Sequence, residues 1–298
     1  MTRASSGFPT DLLPVICCTA CGAALSSKVD EQYAWEGDAY CTKCGVAYPI
    51  SEGVLMMLAQ GQLQGIQAIE RESRDKAAGG YDRRLAARYA KEVPSTLNAL
   101  GNLKGKRVIE YAAGTGRITS EYVSQVETLI ATDFSLASLR ILQNKLNGAH
   151  VGLICADATA LRTKEDYFDV ALASQFYEHL PDDAARNAFL SNCTLTLKVG
   201  GRFVSTTYHF DLRMRIKQKP QEGTHPTGIF YHYYTMSELR SEFGKYLHLE
   251  RVFPIDITLP LESRMSLSAK AGGAISRFFE HVPFMRDFGH LVLVIARK

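Results

Sequence analysis

The chain reads Arg-Val-Ile-Glu-Tyr-Ala-Ala-Gly-Thr-Gly-Arg over residues 107–117. An apolar run there ends in the acidic Glu110, a turn with Gly114 and Gly116 follows, and a helical pattern then covers residues 118–126. The order strand, tight turn, helix is typical of nucleotide-binding folds, in which glycine lets the backbone come close to a ligand. A single Gly-x-Gly turn is common elsewhere, so the segments that follow decide the fold.

Further apolar segments predict more strands, each followed by a polar turn or a helical pattern. These segments are residues 128–133, 151–156, 168–174 and 202–206. Short apolar strands that alternate with helices indicate a parallel sheet covered by helices on both faces. The sequence therefore predicts a doubly wound α/β fold with a ligand at the carboxyl ends of the strands.

Acidic residues stand at the ends of two of these strands, Asp133 and Asp157, and residues 175–182 after the fourth read Gln-Phe-Tyr-Glu-His-Leu-Pro-Asp. With these motifs the chain resembles the class I S-adenosylmethionine (SAM)-dependent methyltransferases over about residues 80–298. Their first motif is acid-x-Gly-x-Gly-x-Gly, and here Ala112 replaces the first glycine. A Rossmann-like dehydrogenase is the alternative, but its spaced third glycine is missing from this turn.

The resemblance implies SAM as cofactor and a Rossmann-like seven-stranded doubly wound sheet whose last two strands form an antiparallel hairpin. By the same resemblance, Asp133 holds the ribose hydroxyls, Asp157 accepts from the adenine amino group, and Gln175 lines the methionine end. The predicted cofactor site comprises Tyr81, Glu110, Ala112, Gly114, Gly116, Asp133, Phe134, Asp157, Ala158 and Gln175.

Two cysteine pairs near the N-terminus have the same form, Cys-x-x-Cys-Gly. They are Cys18 with Cys21, and Cys41 with Cys44. This spacing predicts a closed site of four thiolates for a structural Zn²⁺ ion. A pair of reducible thiols is the alternative, and the neighbouring Cys17 would spoil the spacing if it replaced Cys18.

Residues 15–58 resemble the zinc ribbons that precede many bacterial methyltransferases, since Tyr48-Pro-Ile, an acidic residue, a glycine and an apolar run follow the second pair. We therefore predict a zinc ribbon over residues 1–58, a linker with one polar helix over 59–80, and a methyltransferase domain over 81–298. A helical pattern begins at Tyr81, and a helix in this place often lies across the cofactor pocket in this class.

The predicted cap of the methyltransferase domain lies at about residues 207–234 and 254–289, and it should cover the acceptor site. Aromatic and histidine side chains in it could contact the acceptor, including Tyr208, His209, His225 and Tyr231. A structural polar-aromatic cover is the alternative for each of them. The catalytic candidates are His179, Tyr208 and His209, although methyl transfer needs a base only when the acceptor is protonated.

The modest net charge of +3 and the tyrosine-rich cap favour a small-molecule acceptor, such as one of secondary metabolism. RNA is the second candidate, because the basic stretch 213–219 could contact phosphates. The Asn/Asp-Pro-Pro-Tyr/Phe form used on base amines is missing after the fourth strand. SAM chemistry other than methylation, or a non-catalytic SAM-binding partner protein, completes the alternatives.

No apolar run reaches the roughly 20 residues of a membrane-spanning helix, and the N-terminus shows no signal peptide. These features predict a cytoplasmic protein without a membrane partner, and they leave its oligomeric state open. In the reducing cytoplasm, paired cysteines are metal ligands more often than disulfides.

Overall fold

A mixed sheet forms the centre of the molecule in this computed structural model, which describes residues 7–28, 31–58, 63–146, 149–258 and 268–298. For residues 81 and 83–89 it describes the helix but not the side chains. The strands are β1 (Phe8–Pro9), β2 (Leu25–Ser27), β3 (Tyr33–Ala34), β4 (Gly37–Cys41), β5 (Ala47–Ser51), β6 (Val54–Met56), β7 (Arg107–Tyr111), β8 (Thr128–Asp133), β9 (Val151–Cys155), β10 (Phe168–Ser174), β11 (Leu197–Tyr208), β12 (Glu222–Thr224), β13 (Phe230–His232), β14 (His248–Ile257) and β15 (Gly289–Arg297). The α-helices are α1 (Gly65–Ala77), α2 (Tyr81–Leu100), α3 (Thr119–Tyr122), α4 (Leu136–Gln143), α5 (Asp183–Thr196), α6 (Leu212–Ile216), α7 (Met236–Phe243) and α8 (Ala269–Phe279).

The order of the strands in this sheet is β14-β15-β11-β10-β7-β8-β9-β6-β5-β4-β2. Strands β7, β8, β9, β10 and β11 pair in parallel, whereas β15 runs antiparallel to both β11 and β14. The predicted α/β class, parallel core and closing antiparallel hairpin are therefore confirmed. The strand order reverses on either side of β7, and ligands of such sheets bind at that switch point.

Alternate residues of the central strands point to opposite faces of the sheet, and both faces are buried. On β7, Ile109 belongs to a core that includes Phe189 of α5 and Phe243 of α7. Val108 points to the other face, toward Leu100 of α2 and Leu139 of α4. Apolar side chains on successive positions thus reflect a sheet that is covered on both faces, as predicted.

The cysteine-rich N-terminal region continues this sheet. Strand β6 pairs in parallel with β9, with Leu55 beside Ile154, and it pairs antiparallel with β5. Phe8 and Leu12 pack so closely over Gly152 of β9 that a Cβ there would lie 3.1–3.2 Å from their rings and methyls. The seven predicted strands are therefore extended by four, because a parallel backbone ladder crosses the expected boundary at residue 58. The division into domains stays a prediction.

The segment predicted as a linker, 59–80, contains helix α1 and a 3₁₀ turn over Ala78–Gly80, while 59–62 lie outside the described residues. In the cap, α6 and the β12–β13 hairpin follow β11, and α8 with a 3₁₀ turn over Pro283–Phe288 precedes β15. A capping box formed by Thr235 and Glu238 starts α7. No helix of the described part of the chain is long and apolar enough to cross a membrane.

Candidate active site

A cavity of about 1030 Å³, its open mouth included, lies at the carboxyl ends of the parallel strands. One side, which we call the strand-end wall, is built by the residues that follow β7, β8, β9 and β10. The other side, the α1 wall, is built by helix α1. The lining residues are Leu63, Gln67, Glu70, Arg74, Ala78, Ala112, Ala113, Gly114, Thr115, Arg117, Thr132, Asp133, Phe134, Ser138, Ala156, Asp157, Ala158, Ser174, Gln175, Phe176, His179, Leu180 and Pro181.

Asp133 ends β8 in the strand-end wall and is fixed by two backbone amides. Its Oδ2 accepts from the Gly114 N–H at 2.8 Å, and its Oδ1 accepts from the Ser135 N–H at 2.8 Å. Burial raises the pKa of Asp133, and these two N–H donors offset that rise only in part. Each carboxylate oxygen keeps a second lone pair, so a ligand hydroxyl in the cavity could still donate to it.

Asp157 follows β9, the neighbouring strand. Its Oδ1 accepts from the backbone N–H and the hydroxyl of Thr159 at 2.8 and 2.7 Å, and its Oδ2 accepts from Gln67 Nε2 of α1 at 3.3 Å. Phe134 and Ala158 also line the cavity. Because Gln67 of α1 reaches Asp157, the two walls meet at this residue.

The turn after β7 takes backbone conformations that favour glycine. Gly114 has φ 56°, and a Cβ built on it would meet no atom within 4 Å, so the backbone faces open space. Ala112 has φ 51° although it carries a Cβ. Gly116, with φ 78°, does not line the cavity, and a Cβ there would lie 2.3 Å from Leu142 Cδ1. The open cradle lies at Gly114, whereas Gly116 allows α4 to pack.

Glu110, which was also predicted for the cofactor, does not line the cavity in the described structure. Glu110 is 2% exposed and accepts hydrogen bonds from the hydroxyls of Thr119 and Tyr122 at 2.8 and 2.6 Å. Burial raises the pKa of this carboxyl to about 7. The side chain of Tyr81 lies outside the described residues, although α2 begins there. The cofactor roles of all ten residues stay predictions.

The α1 wall was missed by the sequence interpretation, which placed only a polar helix there. Glu70 is 7% exposed and lies 3.1 Å from the guanidinium of Arg74, and both side chains line the cavity. Burial raises the pKa of Glu70, with Arg74 opposing that rise. Charged residues on a helix usually indicate a face exposed to solvent, so no feature of the sequence identified Glu70 and Arg74 as cavity residues.

A second unpredicted feature lies beside Gln175, where Glu92 of α2 is 1% exposed. It accepts hydrogen bonds from Ser174 Oγ, Gln175 Nε2 and Thr206 Oγ1 at 2.7, 2.5 and 2.9 Å, and it pairs with Arg117. Burial acts to raise the pKa of Glu92, but Arg117 and the hydroxyl donors outweigh it and hold the pKa below its usual range. This network fixes Gln175, whose φ of 48° is itself strained.

Of the catalytic candidates, only His179 lines the cavity. It donates from Nδ1 to the Phe230 carbonyl at 2.7 Å, and its Nε2 lies 3.9 Å from Glu178 Oε1. Burial, with the charge of Arg74, lowers the pKa of His179 well below its usual range, so the ring is neutral. Burial raises the pKa of Glu178 to about 8, and its other oxygen accepts from Thr207.

Tyr208 stands next to His179, with ring centroids 5.8 Å apart. It stacks on Tyr233 at 5.1 Å and faces His225 at 6.5 Å, and His225 in turn lies 4.5 Å from Tyr231. The cap residues that the sequence offered as acceptor contacts are therefore largely one ring cluster beside the cavity.

His209 is the exception among these candidates. It is 2% exposed and donates from Nδ1 to the Gly289 carbonyl at 2.8 Å, at the start of β15. Burial lowers its pKa. The alternation of a strand explains this placement, because neighbours on β11 and its extension point to opposite faces.

The four predicted metal ligands converge in space. One ligand atom each from Cys18, Cys21, Cys41 and Cys44 lies within 4.8 Å of the others, with Sγ–Sγ distances of 3.7 Å (Cys18–Cys44) and 3.3 Å (Cys21–Cys41). A tetrahedron with Zn–S bonds of 2.3 Å has edges of about 3.8 Å. The donor set and its spacing therefore fit Zn²⁺. Tyr48 Oη lies 3.1 Å from Cys18 Sγ and orients that ligand.

Cys17 stands apart from this cluster. Its backbone N–H donates to the Arg162 carbonyl at 3.0 Å, in the loop after Asp157. By contrast, the backbone N–H groups of Lys43 and Cys44 point at Cys41 Sγ, as expected of a thiolate ligand. The structure thus separates the fifth cysteine of the N-terminal region from the four that could hold a metal ion.

Comparison with known proteins places these features in a family. Residues 108–201 match the family model described as a methyltransferase domain. Among curated relatives, phosphoethanolamine N-methyltransferase of Triticum aestivum is 27% identical over 59% of this chain and 36% of its own length. Demethylmenaquinone methyltransferase of Renibacterium salmoninarum is 35% identical over 26% of this chain and 32% of its own. The chain thus spans about a third of these two relatives.

The fold is shared with solved methyltransferases. The 1,6-didemethyltoxoflavin-N1-methyltransferase of Burkholderia thailandensis, solved with 1,6-didemethyltoxoflavin and S-adenosylhomocysteine, superposes with a TM-score of 0.54 at 21% identity. The match covers 79% of this chain and 91% of that one. Residues 108–201 therefore carry a methyltransferase domain, and the sheet around it, with its cavity at the switch point, has the fold of the class I SAM-dependent methyltransferases.

Proposed function

We propose that this protein transfers a methyl group from SAM to a small-molecule acceptor. The observation that carries the proposal is the cavity at the carboxyl ends of the strands. Asp133 and Asp157 stand there at the ends of neighbouring strands, and Phe134 lines the same cavity. The glycine cradle at Gly114 opens into the same space.

Within this cavity, each residue has a defined task. The carboxylate of Asp133 is held by two backbone amides and would accept the ribose hydroxyls. Asp157, Phe134 and the backbone at Ala158 would hold the adenine, and Gln175 would line the methionine end. SAM supplies an electrophilic methyl group on a sulfonium, so the protein's part is to orient the nucleophile in line and to exclude water.

The acceptor would lie between Gln175 and the ring cluster of His179, Tyr208, Tyr233 and His225. Neutral His179 presents an Nε2 lone pair there, since its Nδ1–H is committed to a carbonyl. His179 can take a proton from an acceptor that carries one. Because its ring is neutral, His179 holds no positive charge that would repel the sulfonium. Rings of this kind suit an aromatic or cationic small molecule.

A small acceptor is supported by the relatives, whose names specify phosphoethanolamine, demethylmenaquinone and a toxoflavin precursor. In the basic stretch 213–219, Arg213 is committed to Asp211 at 2.6 Å and to the Phe288 carbonyl at 2.8 Å. RNA, SAM chemistry other than methylation and a non-catalytic role remain the alternatives. We also propose that the four-thiolate site holds a structural Zn²⁺ ion, which would have no open position for a substrate.

Calorimetric titration with S-adenosylhomocysteine tests the cofactor proposal. The wild-type protein should bind it, and no binding would overturn the proposal. Asp133→Ala should weaken binding roughly 100-fold, because two hydrogen bonds to a charged acceptor are lost at about 1.5 kcal/mol each. Unchanged affinity in this variant would refute the assignment of Asp133.

Asp169→Ala is the matched control for that variant. Asp169 also accepts from a backbone amide, that of Arg107 at 2.9 Å, but at the amino end of β10. Its loss should lower stability without changing the affinity for S-adenosylhomocysteine. Mass detection of a methylated product in a screen of small-molecule acceptors then tests the acceptor class, and a steep loss of RNA binding with salt would favour RNA instead.

A further inference from the structure

Three large apolar side chains project into solvent from the cap. Ile216 is 70% exposed, Phe278 is 67% exposed and Phe284 is 72% exposed. Among the described residues, Val199 is the other large apolar side chain that is more than half exposed. It lies near the amino end of β11, whereas α6 of the cap follows the carboxyl end of that strand. Exposed apolar residues that collect on one edge indicate an interaction surface.

These side chains belong to one connected region of the cap. Arg213 of α6 donates to the Phe288 carbonyl at 2.8 Å, and Arg215 lies 3.5 Å from Asp287, so α6 is joined to the 3₁₀ turn that carries Phe284. That turn is joined to the end of α8 by Arg286 Nε, which donates to the Glu280 carbonyl at 3.0 Å. We call Ile216, Lys217, Lys219, Phe278 and Phe284 the cap patch.

The charge around the cap patch is positive. Residues 212–219 contain four basic side chains and no acidic one. The described residues 268–288 contain three basic side chains, Lys270, Arg277 and Arg286, and two acidic ones. Of these acids, Glu280 is 6% exposed, and Asp287 lies within 3.5 Å of Arg215. The exposed surface thus combines apolar tips with cations, which complements an anionic partner that has an apolar interior.

Helix α8 has the two-faced character that such a surface requires. Its inner face is made of small residues, and Gly273 approaches α2 so closely that a Cβ would lie 2.3 Å from the Ala90 carbonyl oxygen. Its outer face carries the exposed side chains of Lys270 and Phe278. The inner face is therefore used for packing, and the outer face is left for a partner.

The cap patch lies at the same edge of the sheet as the cofactor cavity. α6 follows the carboxyl end of β11 at Tyr208, and α8 with its 3₁₀ turn lies between the end of β14 at Ile257 and the start of β15 at Gly289. The cavity opens at the carboxyl ends of β7 to β10 in that sheet. A partner on the cap patch would therefore face the edge where the cavity lies.

We propose that the cap patch docks on an anionic lipid surface, with Ile216, Phe278 and Phe284 at the boundary of the acyl chains and the lysines among the headgroups. Such docking needs no spanning helix, and it departs from the sequence-based prediction of a protein without a membrane partner. A second copy is disfavoured, because a two-fold interface would bring this positive surface against itself. RNA is disfavoured as well, because it would offer no apolar partner for Ile216, which lies among the cations.

Vesicle flotation of the full chain tests this proposal without any methyl acceptor or cofactor, so its outcome is independent of the proposed activity. The protein should float with phosphatidylcholine vesicles that contain 30 mol% phosphatidylglycerol, and its partitioning should fall with salt and be much weaker on phosphatidylcholine alone. Failure to float with the anionic vesicles would overturn the proposal.

Two variants of the cap patch sharpen the test. Phe278→Ser with Phe284→Ser should lower partitioning at least about tenfold through lost apolar contact. Lys217→Glu with Lys219→Glu should lower it by about tenfold or more through charge. Thermal unfolding shows whether each variant is folded, and these exposed positions should leave the midpoint nearly unchanged.

Matched controls lie at the opposite edge of the sheet. Val199→Ser removes an equally exposed apolar side chain, and Lys104→Glu with Lys245→Glu reverses two exposed charges before β7 and β14. These variants should float like the wild type. Equal losses in the patch and control variants would overturn the proposal. The proposal would also be overturned if the protein bound single-stranded RNA but not vesicles, and the patch variants abolished that binding. A dimer that dissociates in Phe278→Ser with Phe284→Ser would overturn it as well.

Discussion

The two walls of the cavity are held in different ways. The strand-end wall consists of chain segments that leave a hydrogen-bonded sheet, and backbone amides fix even its key carboxylate, Asp133. The α1 wall is attached through side chains: Gln67 to Asp157 at 3.3 Å, and Asp75 to the Ser135 hydroxyl at 2.5 Å. The first wall is as rigid as the sheet, whereas a few side-chain contacts hold the second.

This difference indicates a division of labour. A wall built on strand ends can present ribose and adenine acceptors with little variation in position. A wall that is a single helix, held by a few side-chain contacts, can admit and cover a ligand at a smaller cost in free energy. We therefore expect changes that weaken the sheet to reduce stability and cofactor affinity together, and changes in α1 to act mainly on affinity.

The largest effect should come from the cysteine site, which supports the strand-end wall from outside. Strand β6 pairs with β9, which leads directly into Asp157, and the Cys17 amide holds the loop that follows. Cys41→Ser should release zinc and, because metal binding contributes folding free energy, lower the unfolding midpoint by roughly 10 °C. Affinity for S-adenosylhomocysteine should fall as well.

Cys17→Ser is the control for this experiment, since Cys17 adjoins the site but is not one of its four ligands. Zinc content, measured by atomic emission, should be unchanged in this variant and lost in Cys41→Ser. If Cys41→Ser lost its zinc but kept both its midpoint and its affinity, the cysteine region would be independent of the strand-end wall.

A smaller effect, confined to affinity, is expected from the α1 wall. Arg74→Gln would leave Glu70 buried beside the cavity without its cation, near the carboxylate of Asp133. Affinity for S-adenosylhomocysteine should fall about tenfold, because the charge-assisted hydrogen bond between Arg74 and Glu70 in the cavity lining is lost. Calorimetry gives the affinity, and urea unfolding gives the stability.

Arg71→Gln is the matched control on the same helix. Arg71 lies 3.9 Å from Asp75 and does not line the cavity. Its replacement should change affinity less than twofold, because a solvent-accessible ion pair at this distance contributes little. Equal affinity in Arg74→Gln and Arg71→Gln would mean that α1 covers the cavity without binding its contents.

The two walls also differ in how far sequence could predict them. Asp133, Asp157 and Gln175 each follow an apolar strand, so the local pattern placed them at one edge of the sheet. Glu70 and Arg74 lie in a stretch of charged residues that reads as a solvated helix. Their burial depends on the way α1 folds over a cavity built by residues far away in the chain.

The same reason explains two other omissions. Glu92 is buried only because Arg117, Ser174 and Thr206 converge on it from three other segments, and no spacing in the sequence encodes that meeting. The parallel pairing of β6 with β9 likewise joins segments about a hundred residues apart. The cysteine cluster was predictable because each ligand pair is local and the chemistry of four thiolates is specific.

The smallest expected effect concerns the one departure from the family's first motif, in the strand-end wall. Ala112 has φ 51°, a conformation that glycine adopts without steric cost. Ala112→Gly should therefore raise the free energy of unfolding by about 0.5–1 kcal/mol, seen as a higher urea midpoint. Because Ala112 lines the cavity, removal of its methyl should also raise affinity for S-adenosylhomocysteine slightly.

Gln218→Gly separates these two consequences. Gln218 has φ 47°, is exposed and does not line the cavity, so its replacement should raise stability by a similar amount and leave affinity unchanged. If Ala112→Gly instead lowered stability, the strand-end wall would need the alanine methyl for packing. The departure at Ala112 would then be a stabilising feature of this chain, and the rigidity of that wall would depend on side-chain packing as well as on backbone hydrogen bonds.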